Sequence, residues 1–338
     1  MSAVLCAAAA VLASCGGGGQ RGIVIVAAGD ISCASSDCAR ATANLFTGTS
    51  ARVDPALVLA LGDNQYECGS PSKFKSRYDS TWGRRKSITW AVPGNHEYYT
   101  SLRYAAERDC AGQSVGPNAA GGFFHYFGAA ANSPGQATCV ASCDGWYFHD
   151  LDANGDGTSD WRLIALNTGR CGENPIFSPK CSPGSSQETW LRTLALKRPP
   201  ACILAYWHHP RYTSDTSVHK DNAATDQFWR DLYAARADLV VNGHVHDYQR
   251  SVPLEPYGSG RRDDVNGIVE LIAGTGGAEL HSFTAKGLKD PRFAARDAND
   301  HGVLELTLHA SGYDWRFLPV SGSYDDHGSA SCHSAETR

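Results

Sequence analysis

Short apolar runs recur along the chain, and each is followed within three residues by an Asp, Asn or His. The runs cover residues 23–28, 57–61, 88–92, 203–207 and 239–241. A strand that is buried on both faces gives such a continuous run, because neither face needs polar residues. The pattern therefore predicts five interior strands of a largely parallel sheet.

The segments between these runs predict helices and further strands. Helix candidates lie at residues 37–46, 72–82, 187–196 and 223–235, so residues 23–92 have a βαβαβ order. Residues 145–152 and 160–167 predict a hairpin, and residues 268–319 alternate strand-like runs with turns. No internal repeat or domain linker is evident. We expect a single α/β domain, a four-layer α/β/β/α sandwich with two packed mixed β-sheets between outer helices.

Side chains that bind metals follow the apolar runs. They stand in Gly29-Asp30, Gly62-Asp63-Asn64-Gln65-Tyr66, Gly94-Asn95-His96-Glu97, His208-His209-Pro210 and Gly243-His244-Val245-His246. Open α/β sheets bind ligands at the carboxyl ends of their strands, so these residues are expected on one rim of one sheet. A pair of metal ions can clamp a phosphoryl group for in-line displacement, and it needs a bridging carboxylate. Asp63 is the candidate for that bridge, and the pattern predicts hydrolysis at phosphorus.

In this order the motifs resemble the calcineurin-like metallophosphoesterase superfamily, and in particular its purple acid phosphatases. General members of the superfamily carry Asp-x-His first, whereas Ser32 stands at the third position here. Tyr66 is present instead, as in the purple branch, where a tyrosinate binds iron. That branch usually has Gly at the position of Ser32, so the turn there is expected to differ. The resemblance covers residues 23–275.

The resemblance implies a complete set of metal ligands. A ferric ion, Fe(III), would be held by Asp30, Asp63, Tyr66 and His246, and a divalent zinc, manganese or iron ion by Asp63, Asn95, His208 and His244. Tyrosinate and carboxylate ligands suit the harder ferric ion, and imidazoles suit the divalent one.

The resemblance also implies a mechanism and a set of residues that bind the substrate. A metal-bound hydroxide would attack the phosphorus of a phosphate monoester. His96 would bind no metal and would protonate the leaving oxygen, a general-acid role suited to imidazole. His209 and His219 would contact the substrate, His209 by shaping the pocket and His219 from the following loop.

Two other functions remain open at this point. The same metals could serve a phosphodiesterase acting on nucleotides or cyclic nucleotides, with residues 97–140 and 210–222 deciding specificity. The chain could also be an inactive, phosphate-binding surface protein. The partner expected in each case is a small phosphorylated molecule. The net charge of −5 over 338 residues gives no sign of a nucleic-acid-binding surface, which would be basic.

The first residues have the pattern of an export signal. Residues 3–13 form an apolar stretch too short to span a membrane, and residues 12–15, Leu-Ala-Ser-Cys, resemble a bacterial lipobox. Cys15 would then carry a lipid anchor and residues 16–19 would be a flexible tether; the alternative is a plain secretory signal. We expect a leader over residues 1–20, the enzyme domain over 21–320 and a flexible tail over 321–338. The protein is expected in the periplasm or outside the cell, as a bacterial lipoprotein.

The cysteines agree with an oxidising compartment. The chain has twelve, and setting aside Cys6 and Cys15 of the leader leaves ten. An even, high count in an exported chain indicates disulfides. Proximity in sequence predicts the disulfides Cys33–Cys38, Cys139–Cys143 and Cys171–Cys181. We pair Cys68 with Cys110, and Cys202 is expected to be a buried free thiol.

A second group of acidic residues lies between the two strands of the predicted hairpin. Asp152, Asn154, Asp156 and Asp160 alternate with Gly at the sixth position, as at the start of a calcium-binding EF-hand loop. Leu163 stands where that loop has a Glu, and Asn-Gly and Asp-Gly pairs also favour a plain hairpin tip. The tip is the expected structure, and a calcium ion is the alternative.

Overall fold

Thirteen strands are found among the residues that the computed structural model describes, which are 22–33, 37–101, 120–131, 144–169, 171 and 181–333. In chain order they are β1 (Ile23–Ala28), β2 (Leu57–Leu61), β3 (Thr89–Val92), β4 (Tyr147–Leu151), β5 (Trp161–Ala165), β6 (Cys202–Trp207), β7 (Leu239–Asn242), β8 (Tyr248–Ser251), β9 (Val269–Ala273), β10 (Phe293–Asp297), β11 (Gly302–His309), β12 (Gly312–Pro319) and β13 (His327–Ser331). The five apolar runs correspond to β1, β2, β3, β6 and β7, and the predicted hairpin is formed by β4 and β5.

The helices of the described residues are short. They are α1 (Arg40–Ala43), α2 (Pro71–Lys73), α3 (Gly121–Phe127), α4 (Ser186–Trp190) and α5 (Asp226–Ala234). Wider π-helical turns continue α2 over Phe74–Tyr78 and α4 over Leu191–Ala195, and 3-10 turns cover Trp82–Ile88, His96–Ser101, Gly128–Ala131, Ala223–Thr225 and Gly287–Lys289. Ser70 and Ser185 accept hydrogen bonds from the first turns of α2 and α4, which fixes where these helices begin. The four helix candidates correspond to α1, α2, α4 and α5, whereas α3 was not predicted.

The strands form two mixed β-sheets. The first has the order β13-β12-β11-β1-β2-β3, in which β1, β2 and β3 are parallel and β11 is antiparallel to β1. The second has the order β10-β8-β9-β7-β6-β5-β4, in which β5, β6, β7 and β9 are parallel. In the first sheet the parallel strands form one half and end at the edge strand β3. In the second sheet they lie in the middle, with antiparallel pairings toward both edges.

Alternate residues of the central strands face different hydrophobic clusters. Ile25 and Leu59 of the first sheet and Leu204 of the second lie in one cluster between the sheets. Val26 faces the opposite side of its sheet, in a cluster with residues of α1 and α3, and Ile203 does the same beside α4 and α5. Both faces of each central strand are therefore covered, which explains the continuous apolar runs and confirms the four-layer α/β/β/α sandwich.

The end of the chain corrects two predictions. Strand β13 pairs with β12, and Cys332 directly after it forms a disulfide with Cys202 at the start of β6. The Asp238 carboxylate also accepts a hydrogen bond of 2.6 Å from the backbone N–H of His333. Residues 327–333 therefore do not form a flexible tail, and Cys202 is not a free thiol, because β13 brings Cys332 from the edge of the first sheet to the second.

The other disulfides agree with prediction wherever they are described. Cys33–Cys38 and Cys171–Cys181 are both confirmed. Cys68 is also disulfide-bonded, while Cys110, its predicted partner, and the predicted pair Cys139–Cys143 lie outside the described residues, as does the leader over residues 1–20. None of the helices in the described ranges is long and apolar enough to cross a membrane.

Candidate metal centre

The predicted ligands meet where the carboxyl ends of strands from both sheets converge. Gly29 follows β1 of the first sheet and Gly243 follows β7 of the second, and a Cβ on Gly29 would lie 3.0 Å from the Cα of Gly243. The rim is therefore shared by two sheets, which corrects the expectation of one rim of one sheet. Asp30, Asp63 and His244 have positive φ angles of 59°, 47° and 70°. Such backbone costs about 1–3 kcal/mol per residue and is concentrated at functional sites.

On one side of the site Tyr66, Asp30 and His246 are in mutual contact. The Tyr66 hydroxyl donates to Asp30 Oδ1 at 2.8 Å and lies 2.9 Å from His246 Nε2. His246 Nε2 lies 3.2 Å from Asp30 Oδ1. Burial, together with the carboxylates of Asp30 and Asp63, raises the pKa of the Tyr66 phenol well above its ordinary value. Formation of a tyrosinate here therefore requires a strong nearby cation.

On the other side His208 is surrounded by three predicted ligands. Its Nε2 lies 3.2 Å from Asp63 Oδ2, 3.1 Å from Asn95 Oδ1 and 3.3 Å from His244 Nδ1. Burial alone would raise the pKa of Asp63, but the imidazoles of His208 and His96 hold it below its ordinary value. Asp63 is thus a carboxylate in the folded protein.

Asp63 lies between the two sides. Its Oδ2 is 3.3 Å from the Tyr66 hydroxyl and 3.2 Å from His208 Nε2. A carboxylate in this position can reach one ion beside Tyr66 and a second beside His208. The geometry therefore suits the bridging role.

The donor set fits a pair of metal ions. Candidate ligand atoms of Asp30, Asp63 and His208 lie within 4.8 Å of one another, and so do those of His208, His209 and His244, all of them buried. Backbone carbonyls also orient two of the rings, since His208 Nδ1 lies 2.8 Å from the oxygen of Leu61 and His246 Nδ1 lies 2.7 Å from that of Glu279. Such hydrogen bonds turn the opposite ring nitrogen toward a metal.

Glu97 holds together the two loops that carry Asp63 and Asn95. Its buried carboxylate accepts hydrogen bonds from four backbone N–H groups, at 2.7–3.2 Å, which belong to Asp63, Asn64, Gln65 and Gly94. These groups follow β2 and β3, so one side chain fixes the two loops relative to each other. Glu97 belongs to a predicted motif, but the sequence alone assigns it no role.

Two contacts orient His96 toward the site. Its backbone N–H donates to Asp63 Oδ1 at 2.8 Å, and its Nδ1 lies 2.7 Å from the carbonyl oxygen of Glu67. The Nε2 atom lies 3.8 Å from Asp63 Oδ2, and the ring centroid lies 4.3 Å from that of Tyr66. His96 therefore stands beside the predicted ligands while its Nδ1 is engaged by the protein.

Tyr99 orients the Asn95 side chain. The Asn95 amide nitrogen donates to the Tyr99 hydroxyl at 2.8 Å, which leaves Oδ1 facing His208. The Tyr99 ring also contacts His96, with centroids 4.7 Å apart. Tyr99, which no sequence motif predicts, thus contacts both Asn95 and His96 in the loop after β3.

Three further imidazoles line the site beside His244 and His246. His209 is buried, with its Nδ1 3.0 Å from Thr168 Oγ1 and its ring 4.2 Å from that of His244. The His219 ring lies 4.2 Å from His244 on another side. Burial lowers the pKa of His209 to about 3 and that of His219 to about 4. The structure thus brings both predicted substrate residues to the site, and their roles stay predictions.

The third imidazole, His281, was not predicted. Its ring stacks on that of His246, with centroids 4.1 Å apart and an interplanar angle of 9°. It lies in the loop after β9 without a neighbouring motif. Only the fold brings it to the site.

The acidic hairpin tip lies between β4 and β5. The Asp152 carboxylate accepts hydrogen bonds from the backbone N–H groups of Gly155, Asp156 and Gly157, at 2.6–3.2 Å. Asp160 Oδ2 accepts one from Ala153 at 2.8 Å. These carboxylates stabilise the turn itself, as the expected hairpin tip requires, and the calcium site at Asp152, Asn154, Asp156 and Asp160 stays a prediction.

Comparison with known proteins identifies the family. The sequence model described as calcineurin-like phosphoesterase matches residues 23–248. This is more than half of the chain, so the chain belongs to the calcineurin-like phosphoesterase family. The match contains every predicted metal ligand and ends at the start of β8.

The chain is similar in sequence to part of a purple acid phosphatase and to part of a nucleotide pyrophosphatase/phosphodiesterase. The chain is 34% identical over 76 residues to purple acid phosphatase 15 of Arabidopsis thaliana, a segment that covers 22% of this chain and 14% of that protein. It is 32% identical over 78 residues to a nucleotide pyrophosphatase/phosphodiesterase of Hordeum vulgare, covering 21% of this chain and 20% of that protein.

A solved structure shows the same fold. The purple acid phosphatase PPD1 from yellow lupin, Lupinus luteus, superimposes with a TM-score of 0.61 at 16% identity, over 91% of this chain and 53% of the lupin chain. The chain thus spans about half the length of the lupin enzyme and matches only a small part of the two curated relatives.

Proposed function

We propose that this protein is a dinuclear metallophosphatase that hydrolyses phosphate monoesters. The observation that carries the proposal is the position of Asp63, whose Oδ2 lies 3.3 Å from the Tyr66 hydroxyl and 3.2 Å from His208 Nε2. A buried carboxylate between a phenol and an imidazole suits a bridge between two different ions. Membership of the calcineurin-like phosphoesterase family supports the reaction class.

The residues divide into two ligand sets around Asp63. Asp30, Tyr66 and His246 would complete a site for Fe(III), because oxygen ligands suit the harder ion. Asn95, His208 and His244 would complete a site for zinc, manganese or divalent iron. Bound here, the two ions lower the pKa of water and neutralise charge on the phosphoryl oxygens.

His96 supplies the proton for the leaving group in this proposal. Its Nδ1 lies 2.7 Å from the Glu67 carbonyl oxygen, so that Nε2 is the nitrogen turned toward Asp63. The ring is held on its two sides by Tyr66 and Tyr99. An imidazole fixed in this way can protonate the ester oxygen as it leaves.

A phosphodiesterase acting on nucleotides is the second candidate. The similarity to the barley nucleotide pyrophosphatase/phosphodiesterase favours it. The same ligands would serve this reaction, so the metals do not distinguish the two candidates. The substrate must.

Metal analysis together with a panel of esters tests both candidates. Purified protein is expected to contain about two metals per chain, one of them iron, and to hydrolyse monoesters faster than diesters of the same alcohol. Faster hydrolysis of nucleotide diesters would favour the second candidate. A protein that holds two metals, binds phosphate and hydrolyses neither class would be a phosphate-binding protein.

The Tyr66→Phe variant tests the assignment of the ferric site. If the Tyr66 oxygen binds Fe(III), the oxidised wild type absorbs visible light and the variant does not, although divalent-metal content stays near wild type. Visible spectra and metal analysis of both proteins provide the measurement. A wild-type protein that is colourless and iron-free but hydrolyses esters would contradict the assignment of Tyr66 to a ferric site. It would not affect membership of the calcineurin-like phosphoesterase family.

We also propose that the protein is exported, with Cys15 as a lipid anchor. The disulfides Cys33–Cys38, Cys171–Cys181 and Cys202–Cys332 support an oxidising compartment. Mass spectrometry of the membrane fraction tests the anchor, since a peptide beginning at lipidated Cys15 is expected.

A further inference from the structure

The loop after β9 surrounds the ring of His246. The carbonyl oxygen of Glu279 lies 2.7 Å from His246 Nδ1, and the backbone N–H of His281 donates to the His246 carbonyl at 2.8 Å. The His281 ring then stacks on the His246 ring at a centroid distance of 4.1 Å. His281 is thereby fixed by its backbone next to a predicted metal ligand.

The His281 ring also borders the predicted substrate residue His219. The two ring centroids lie 5.1 Å apart, and His219 in turn lies 4.2 Å from His244 and 6.5 Å from His246. The two imidazoles therefore stand side by side along His244 and His246. Both residues are only half-buried, so they lie at the opening of the site.

The His281 side chain makes no hydrogen bond within the described part of the protein. Its Nδ1 is buried, whereas Nε2 is not among the buried atoms, so Nε2 is the nitrogen that a bound group can reach. An imidazole N–H at the opening of a site can donate a hydrogen bond to a group that enters it. A side chain that served only to pack against His246 would need no nitrogen.

We propose that His281 is a substrate-binding residue, which together with His219 forms an imidazole wall that contacts the oxygens of a phosphoryl group. The inference rests on the proposed function and extends it to a residue outside the family motifs. An imidazole N–H that donates to a phosphate oxygen forms a charge-assisted hydrogen bond, the stronger class of such bonds. The ligand is a phosphate ester or free inorganic phosphate, which offer the same oxygens.

The His281→Phe variant separates binding from packing. Phenylalanine keeps an aromatic ring against His246 but has no hydrogen-bonding atom. We expect the inhibition constant for inorganic phosphate, and KM for a monoester, to rise roughly 10-fold to 100-fold, as for loss of a hydrogen bond to a charged group. Metal content and the visible spectrum should equal those of wild type. His281→Gln retains an N–H donor and is expected to lie between the two.

His327→Phe is the matched control. His327 is exposed on β13 and contacts Asp325, and the same substitution there should leave phosphate inhibition unchanged. The proposal is overturned if phosphate inhibits His281→Phe and His281→Gln as strongly as wild type, or if His281→Phe loses its metals, since His281 would then serve only His246. A wild-type protein that holds two metals but neither binds phosphate nor cleaves esters would overturn the proposed function together with this inference.

Discussion

The Asp63→Asn variant is expected to lose occupancy of both metals and to lower kcat/KM by at least about 10³-fold. Asp63 Oδ2 lies within 3.3 Å of atoms from both ligand sets. Asparagine keeps the shape of the side chain but removes the negative charge that a bridge supplies to two cations. Elemental analysis and steady-state kinetics on a monoester measure the two effects.

A matched substitution far from the site controls for the change of charge. Asp314 is half-exposed on β12 and contacts only His309 among the ion pairs described, so Asp314→Asn should keep both metals and full activity. Thermal unfolding of the two variants checks that each is folded. Full activity of Asp63→Asn with both metals bound would show that Asp63 is not the bridge.

The His96→Ala variant is expected to slow the hydrolysis of alkyl phosphates by about 10²–10⁴-fold, the usual contribution of a general acid. An alkoxide is a poor leaving group and needs a proton as it departs. A nitrophenolate leaves unaided, so nitrophenyl phosphate should be affected much less. Measuring kcat on both esters with one preparation of the variant gives the contrast.

The contrast between the two esters is the internal control for His96. Metal content should stay near wild type, because His96 belongs to neither proposed ligand set: the Glu67 carbonyl engages its Nδ1, and its Nε2 lies 3.8 Å from Asp63 Oδ2. An equal loss of rate on both esters would make His96 a general phosphate-binding residue. Loss of both metals would make it a ligand.

The central strands and the motifs after them could be predicted for a common physical reason. Helices cover the outer face of each sheet and the other sheet covers the inner face, so residues such as Val26 and Ile25 are both buried and the run is unbroken. The polar residue that follows such a run must then lie at the end of a strand. The positions of Asp30, Asp63 and His208 follow directly from this.

Features that depend on contacts between distant segments could not be predicted. Strand β13 has the sequence His-Gly-Ser-Ala-Ser and is largely exposed, so its residues show no apolar pattern. Its place is set by pairing with β12 and by the disulfide to Cys202, 130 residues away in sequence. His281 likewise reaches the site only because the loop after β9 turns back to His246. Helix α3 lies in a Gly-rich segment, and its aromatic residues Phe123 and Phe127 pack in the cluster outside the first sheet.

The carboxylate of Glu97 has a consequence for how metals enter and leave the protein. Since protein hydrogen bonds hold the loops after β2 and β3, the positions of Asp63 and Asn95 do not depend on a bound ion. Metal binding then does not have to be coupled to folding, unlike in small domains that collapse only around their metal. The ligand loops lose their conformational entropy when the chain folds. Metal binding does not have to offset this loss, so more of the coordination energy contributes to the metal affinity. The metal-free protein is therefore expected to stay folded, with these ligands already placed to take up ions again.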